Sequence, residues 1–179
     1  PSMDSGMNVR RALCALTVGL LAATVVSAYA APRDAQSDAP AITRFLSLGF
    51  ANAATNFSSI RGQATRTVAG IQQYAALKVP DRALLHDCYI GHLPGNGDVA
   101  ESYLYACRSS ARSLSYEKLF ETARRMVRAA LPPSYAGAPP QGLKDSMSES
   151  WIRRGYPEVH LLTYTNAGSQ HYVLFMYTR

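Results

Sequence analysis

The chemically versatile residues of this chain are three cysteines, four histidines and eleven tyrosines. Cys14 lies inside an N-terminal apolar run, which leaves Cys88 and Cys107 for the folded part. Residues 84–90 and 101–107 both read as strands, and Leu93-Pro94-Gly95-Asn96-Gly97-Asp98 between them is a dense turn signal. Folding that hairpin about its midpoint sets Cys88 opposite Cys107, Ile90 opposite Tyr105 and His92 opposite Tyr103. Opposed residues on antiparallel strands lie about 4.5–5.5 Å apart, close enough for a bridge. One disulfide, Cys88–Cys107, is therefore expected, and a bridged cysteine is no nucleophile.

The catalytic alternative rests on His86 and Asp87 beside Cys88, with His92 further along. Those residues would serve a secreted hydrolase near the 86–107 hairpin. Against it, strand neighbours point to opposite faces. His86 and His92 share a strand parity, but six residues along a strand is about 20 Å, too far for one metal. His160 and His171 are predicted opposite Phe175 and Tyr164 rather than opposite each other. The chain has no G-x-S-x-G, S-x-x-K or H-E-x-x-H. No catalytic residue, metal site or cofactor is assigned, and the balance tips away from an enzyme.

Eleven Tyr against five Phe and one Trp is a high ratio. Tyrosine suits places that are apolar at one end and wet at the other, including binding surfaces. Tyrosine is also simply a good strand residue, the more common reason for its presence; the best candidate for a binding surface is an open sheet face carrying Tyr103, Tyr105 and Tyr172, with His92.

The elements that must position these groups follow from periodicity. Ile42, Phe45, Leu46, Gly49, Phe50, Ala53, Phe57 and Ile60 recur at helical spacing, with Gly62 as a C-cap. Residues 66–79 alternate as one strand, with Ala69 inside it, ended by Pro80. A second helix is predicted from Ser113 or Ser115 to Leu131, stopped by Pro132-Pro133. Residues 132–142 read as a long loop, and Leu143, Met147 and Trp151, spaced by four, predict a short helix running to Gly155. A final hairpin joins residues 158–165 to residues 170–178 through Asn166-Ala167-Gly168-Ser169. Both of its strands are apolar on both faces, which marks them as central. The expected fold is α+β, a two-layer sandwich of about five antiparallel strands and two main helices in the order α-β-β-β-α-β-β. In outline that order is similar to secretion-chaperone-like folds, which also run helix, three strands, helix, two strands.

At the N-terminus, Arg10 and Arg11 precede the apolar run Ala12–Val26, which leads to Ala28-Tyr29-Ala30. Basic region, apolar region and small-x-small site are the parts of a secretory signal peptide. Residues 1–30 are read as the leader, starting at Met7, residues 31–40 as a flexible linker and residues 41–179 as a single domain. An uncleaved leader would tether the protein to a membrane as a structural subunit.

The net charge is +6, and all basic residues except Lys78, Lys118 and Lys144 are arginine. The closest arginine group on a predicted helix is Arg124, Arg125 and Arg128, and no nucleic-acid site is read. The reading as a whole is a small exported bacterial protein, periplasmic or extracellular, that binds another envelope or extracellular protein or peptide. Mass spectrometry of the protein recovered from its producing cell is expected to find a mature chain beginning at Ala31; an intact leader would mean tethering instead.

Overall fold

A computed structural model describes residues 38–96, 100–109 and 112–179. The leader and most of the expected linker lie outside the described residues. Helix α1 spans Ala39–Ala53, a 3-10 turn spans Ser58–Ile60 and helix α2 spans Tyr116–Ala130. Four strands lie between the helices: β1 (Arg61–Val68), β2 (Ile71–Ala76), β3 (Leu85–Leu93) and β4 (Ser102–Ser109). After α2 come β5 (Ala136–Gly137), β6 (Gln141–Leu143), β7 (Ser146–Ile152), β8 (Glu158–Asn166) and β9 (Ser169–Thr178). All pair antiparallel in one sheet ordered β1-β2-β3-β4-β9-β8-β7-β5, with β6 also on β7. The α+β class holds, but the sheet has nine strands instead of five, and the chain order departs from that of the secretion-chaperone-like folds.

Each departure has a local cause. The apolar stripe of the first helix stays buried through Phe57 and Ile60, yet the helix stops at Ala53. Asn56 and Phe57 both take positive φ, and the Phe57 amide donates to the Asn52 carbonyl. Asn tolerates that left-handed conformation, so the chain turns while its apolar spacing continues. Ahead of the helix, Asp38 is fully buried and Ala39 and Pro40 are already helical, so the expected linker ends before residue 38. The single strand expected over 66–79 is a hairpin, because Ala69 and Gly70 have φ of 49° and 82°. Two consecutive positive φ values are what a two-residue hairpin turn requires. Strand β1 is polar and mostly exposed, with two register shifts against β2. It is the charged, bulged edge by which a sheet resists pairing with another chain. The helix expected over 143–155 is strands β6 and β7. A spacing of four fits one face of a helix, but four is also even, so Met147 and Trp151 equally share one face of strand β7, while Leu143 lies across the turn on β6, paired with Ser146 and exposed.

Other expectations are met. Ser115 caps α2, its Oγ accepting from the Lys118 amide at 3.4 Å. Leu119, Phe120, Ala123 and Val127 form the buried stripe of α2, with Glu117 in its first turn and Arg128 in its last. The β8–β9 hairpin turns at Ala167 and Gly168, and the register sets His160 against Phe175 and Tyr164 against His171.

The central strands β4, β9 and β8 are buried on both faces. One core joins Phe45, Leu46, Leu119 and Val127 of the helices to Ile90, Tyr105, Leu161, Leu174 and Met176 of the sheet. On the other face Ile71, Leu104, Ala106, Leu162, Val173, Phe175 and Tyr177 form a second core, to which neither helix contributes a side chain among the described residues. Gly91 of β3 lies beneath a contact between its two neighbours. A Cβ built there would come within 2.9 Å of both the Ile71 Cγ2 of β2 and the Leu104 Cγ of β4. The missing side chain lets those two strands lean together over β3. Gly91→Ala is therefore expected to lower stability by about 1–3 kcal/mol through overpacking, read as a fall in the denaturant midpoint; an unchanged midpoint would mean that this face yields without cost.

Candidate functional site

The disulfide forms as expected: Cys88 and Cys107 are bonded, with Cα atoms 4.1 Å apart. The register agrees at Ile90–Tyr105 and His92–Tyr103, but it shifts by one residue beyond them. His86 pairs with Arg108 and Tyr89 with Ala106, so Asp87 and Cys88 together face Cys107. This is a β-bulge, and Asp87 takes φ 48° within it.

The bulge undoes the expected alternation. His86 and Asp87 no longer point apart: His86 Nδ1 lies 3.2 Å from Asp87 Oδ2. The same carboxylate accepts a close hydrogen bond from Arg108. The His86 hydrogen bond and the Arg108 guanidinium hold the Asp87 carboxyl far below the usual carboxylate range, against the opposing effect of burial. Asp87 is thus a fixed anion and a poor base. The bulge also separates the two histidines that shared a parity. His86 lies opposite Arg108, in register with the second core, whereas His92 stacks on Tyr103 at the rim of the first, ring centroids 4.6 Å apart.

Further along that second face, Tyr164 stacks on His171 with centroids 5.5 Å apart. His171 Nδ1 lies 3.2 Å from the Ser109 carbonyl oxygen. Burial, with the nearby charges of Arg108, His86 and Arg112, holds the His171 imidazole below its ordinary value of 6.5. No group of three or more His, Cys, Asp and Glu among the described residues is arranged to hold a metal.

The tyrosine surface is corrected by burial. Tyr105 and Tyr172 are 0% exposed. Tyr105 stacks on Phe45 at 5.0 Å, and its hydroxyl donates to the Lys78 carbonyl. The Tyr172 hydroxyl donates to Asp38 Oδ2 at 2.7 Å, and Arg112 donates to the same oxygen at 2.6 Å. These two tyrosines satisfy the interior and present nothing to solvent. Tyr103 and His92 remain accessible, joined through Glu101, which accepts from the Tyr103 hydroxyl at 2.9 Å and lies 2.7 Å from His92 Nε2.

A different surface gathers aromatic and charged groups. A cleft of about 740 Å³ opens where the end of α1 meets the β7–β8 connection and the end of β9. Phe50, Asn56, Tyr156, Glu158, Tyr177 and Arg179 line it. Tyr156 is 51% exposed, and the Arg153 guanidinium lies over its ring, 3.6 Å from the centroid. Arg179 lies 5.5 Å from the Tyr177 ring and 3.4 Å from Glu158 Oε1. Glu158 Oε2 is also 3.3 Å from His160 Nε2. The walls are braced from below: the Tyr135 hydroxyl donates to the Pro157 carbonyl at 2.9 Å, and its ring sits 5.8 Å from Phe50. The Thr178 hydroxyl donates to Asn56 Oδ1 at 3.0 Å. None of these residues stood out as a site in the sequence. The signal available was Arg153-Arg154-Gly155-Tyr156-Pro157, a cationic and aromatic turn between two apolar segments.

The His171 environment yields a pH dependence. Its folded value lies below its unfolded one, so between the two the unfolded chain holds a proton that the folded chain lacks. Stability is whole above 6.5 and is expected to fall as pH drops below that value. Thermal melts between pH 7.5 and 5 should show a decline in Tm that His171→Gln makes shallower; an equal decline in both proteins would clear His171.

Compared with protein-family models, curated proteins and solved structures, the chain matches none, and the arrangement of its own residues is what a function has to rest on.

Proposed function

We propose that this is an exported, disulfide-bonded protein that works by binding a polypeptide partner in the envelope or outside the cell, along the cleft between α1 and the β7–β8 turn. The observation that carries the reading is the cleft itself, about 740 Å³ and walled by Phe50, Tyr156 and Pro157. Its size falls within the range of about 300–1,000 Å³ typical of ligand-holding sites. Exposed tyrosine capped by arginine is the composition that dominates binding hot spots. The Cys88–Cys107 bridge supports an oxidising destination, and no described helix is long and apolar enough to cross a membrane.

A second reading, a hydrolase, has one observation in its favour. In the His86–Asp87 pair the carboxylate occupies Nδ1 of the imidazole, which leaves Nε2 as the ring nitrogen that could take a proton from water.

Panning a displayed library of random linear peptides against the protein tests the binding reading. Enriched peptides are expected to lose binding to Tyr156→Ala and to keep it with His86→Ala. No enrichment, or binding indifferent to Tyr156, would remove the cleft as the site.

A further inference from the structure

The charge around this cleft says more about its occupant. Arg153 covers Tyr156 from one side, and Arg154 next to it is exposed. Among the described residues neither is in an ion pair. Arg179 lies over Tyr177 and is shared with Glu158, the carboxylate that lines the cleft and also faces His160. Arg179 and Glu158 line the cleft and pair with each other, so the uncompensated guanidiniums are those of the adjoining turn, Arg153 against the Tyr156 ring and Arg154 beside it. Without Arg10, Arg11 and Asp4 of the predicted leader, the net +6 of the chain becomes +5, which leans the same way. A guanidinium laid on an aromatic ring keeps its planar fork pre-organised, and that fork matches a carboxylate with two parallel hydrogen bonds.

Resting on the binding reading above, we infer that the cleft takes an acidic polypeptide segment carrying at least one apolar or aromatic side chain. The carboxylates would meet Arg153 and Arg154 in the turn that adjoins Tyr156, and the apolar side chain would lie against Phe50, Ala53 and Pro157. That apolar wall favours a polypeptide over an anionic polysaccharide, which has no large apolar group to place there.

Fluorescence anisotropy with defined probes tests the charge preference. The probes are the fluorescein-labelled peptide Glu-Asp-Tyr-Leu-Glu-Asp and its counterpart Lys-Lys-Tyr-Leu-Lys-Lys, with alginate as an anionic polysaccharide competitor. The acidic peptide is expected to bind the full mature protein at least about tenfold more tightly than the basic one, and to weaken as salt is raised. Arg153→Glu and Arg154→Glu, both surface changes, should each weaken it several-fold and together reverse the preference; circular dichroism would confirm that both variants fold. Equal affinity for the two peptides, no binding of the acidic one, indifference to charge reversal, or alginate binding in place of the peptide would each overturn the inference. If the acidic peptide fails while panned peptides still bind through Tyr156, only the charge preference falls; if no peptide binds at all, the binding reading falls with it.

Discussion

Strands β4, β9 and β8 have no wet face, and most of the molecule is arranged around that fact. On β9 the side chains alternate between two buried cores, Tyr172, Leu174 and Met176 on one side and Val173, Phe175 and Tyr177 on the other. A one-residue slip would exchange the two sets, and each core is shaped for its own. Polar groups carried into such strands must find partners inside. Tyr172 and Arg112 therefore share the carboxylate of Asp38, which anchors the first turn of α1 to the sheet. Tyr177 bonds Ser102 and Tyr105 bonds the Lys78 carbonyl. A buried ion pair adds little net stability, since desolvation consumes much of its attraction. What the Asp38–Arg112 pair contributes here is placement, since it ties the start of α1 to the segment beside β9.

The disulfide works at the one place where this regular alternation is interrupted. The bridge joins residues 19 apart in sequence. Closing a loop of that length is worth about 3 kcal/mol in the chain-entropy view. It also pins the pairing beside an extra residue, which would otherwise be free to slide. With Asp87 inserted, His86 turns onto the Arg108 side, and a carboxylate, a guanidinium and an imidazole meet on what would have been a plain ladder. A non-glycine residue at positive φ is disfavoured, although Asp tolerates it better than most. The ion pair to Arg108 and the covalent neighbour at Cys88 together hold it in place.

Much of this fold can be read in the sequence, and the misses share a physical origin. The final hairpin and the missed β1–β2 hairpin both turn on an Ala-Gly pair, at Ala167-Gly168 and at Ala69-Gly70. The first is flanked by Asn166 and Ser169, which advertise a turn, and the second by Val68 and Ile71, which advertise a strand. The disulfide register was legible because pairing from the turn fixes it, but a bulge is a property of two strands at once and leaves no mark in either. The tyrosine count misled because tyrosine serves the wet rim and the interior of a two-faced sheet equally well. Burial of β4 and β9 on both sides places Tyr105 and Tyr172 inside, whereas Tyr103, at the end of its strand beside Glu101, stays at the edge.

The same constraint directs where a partner could be met. The central strands spend both faces on cores and leave no platform there, so on the proposed binding reading a partner is met at the ends of elements. There the backbone stops pairing and side chains are released to solvent. The β7–β8 connection is such an end: Trp151 and Val159 on either side are buried, and Arg154, Gly155 and Tyr156 between them are exposed. Gly155 takes φ 77°, which lets the chain reverse without a side chain in the way. Tyr135, itself nearly buried, reaches up from the core to fix Pro157. An exposed tyrosine on a turn held this firmly would lose little conformational freedom on binding, which is the physical reason the proposed reading rests on Tyr156.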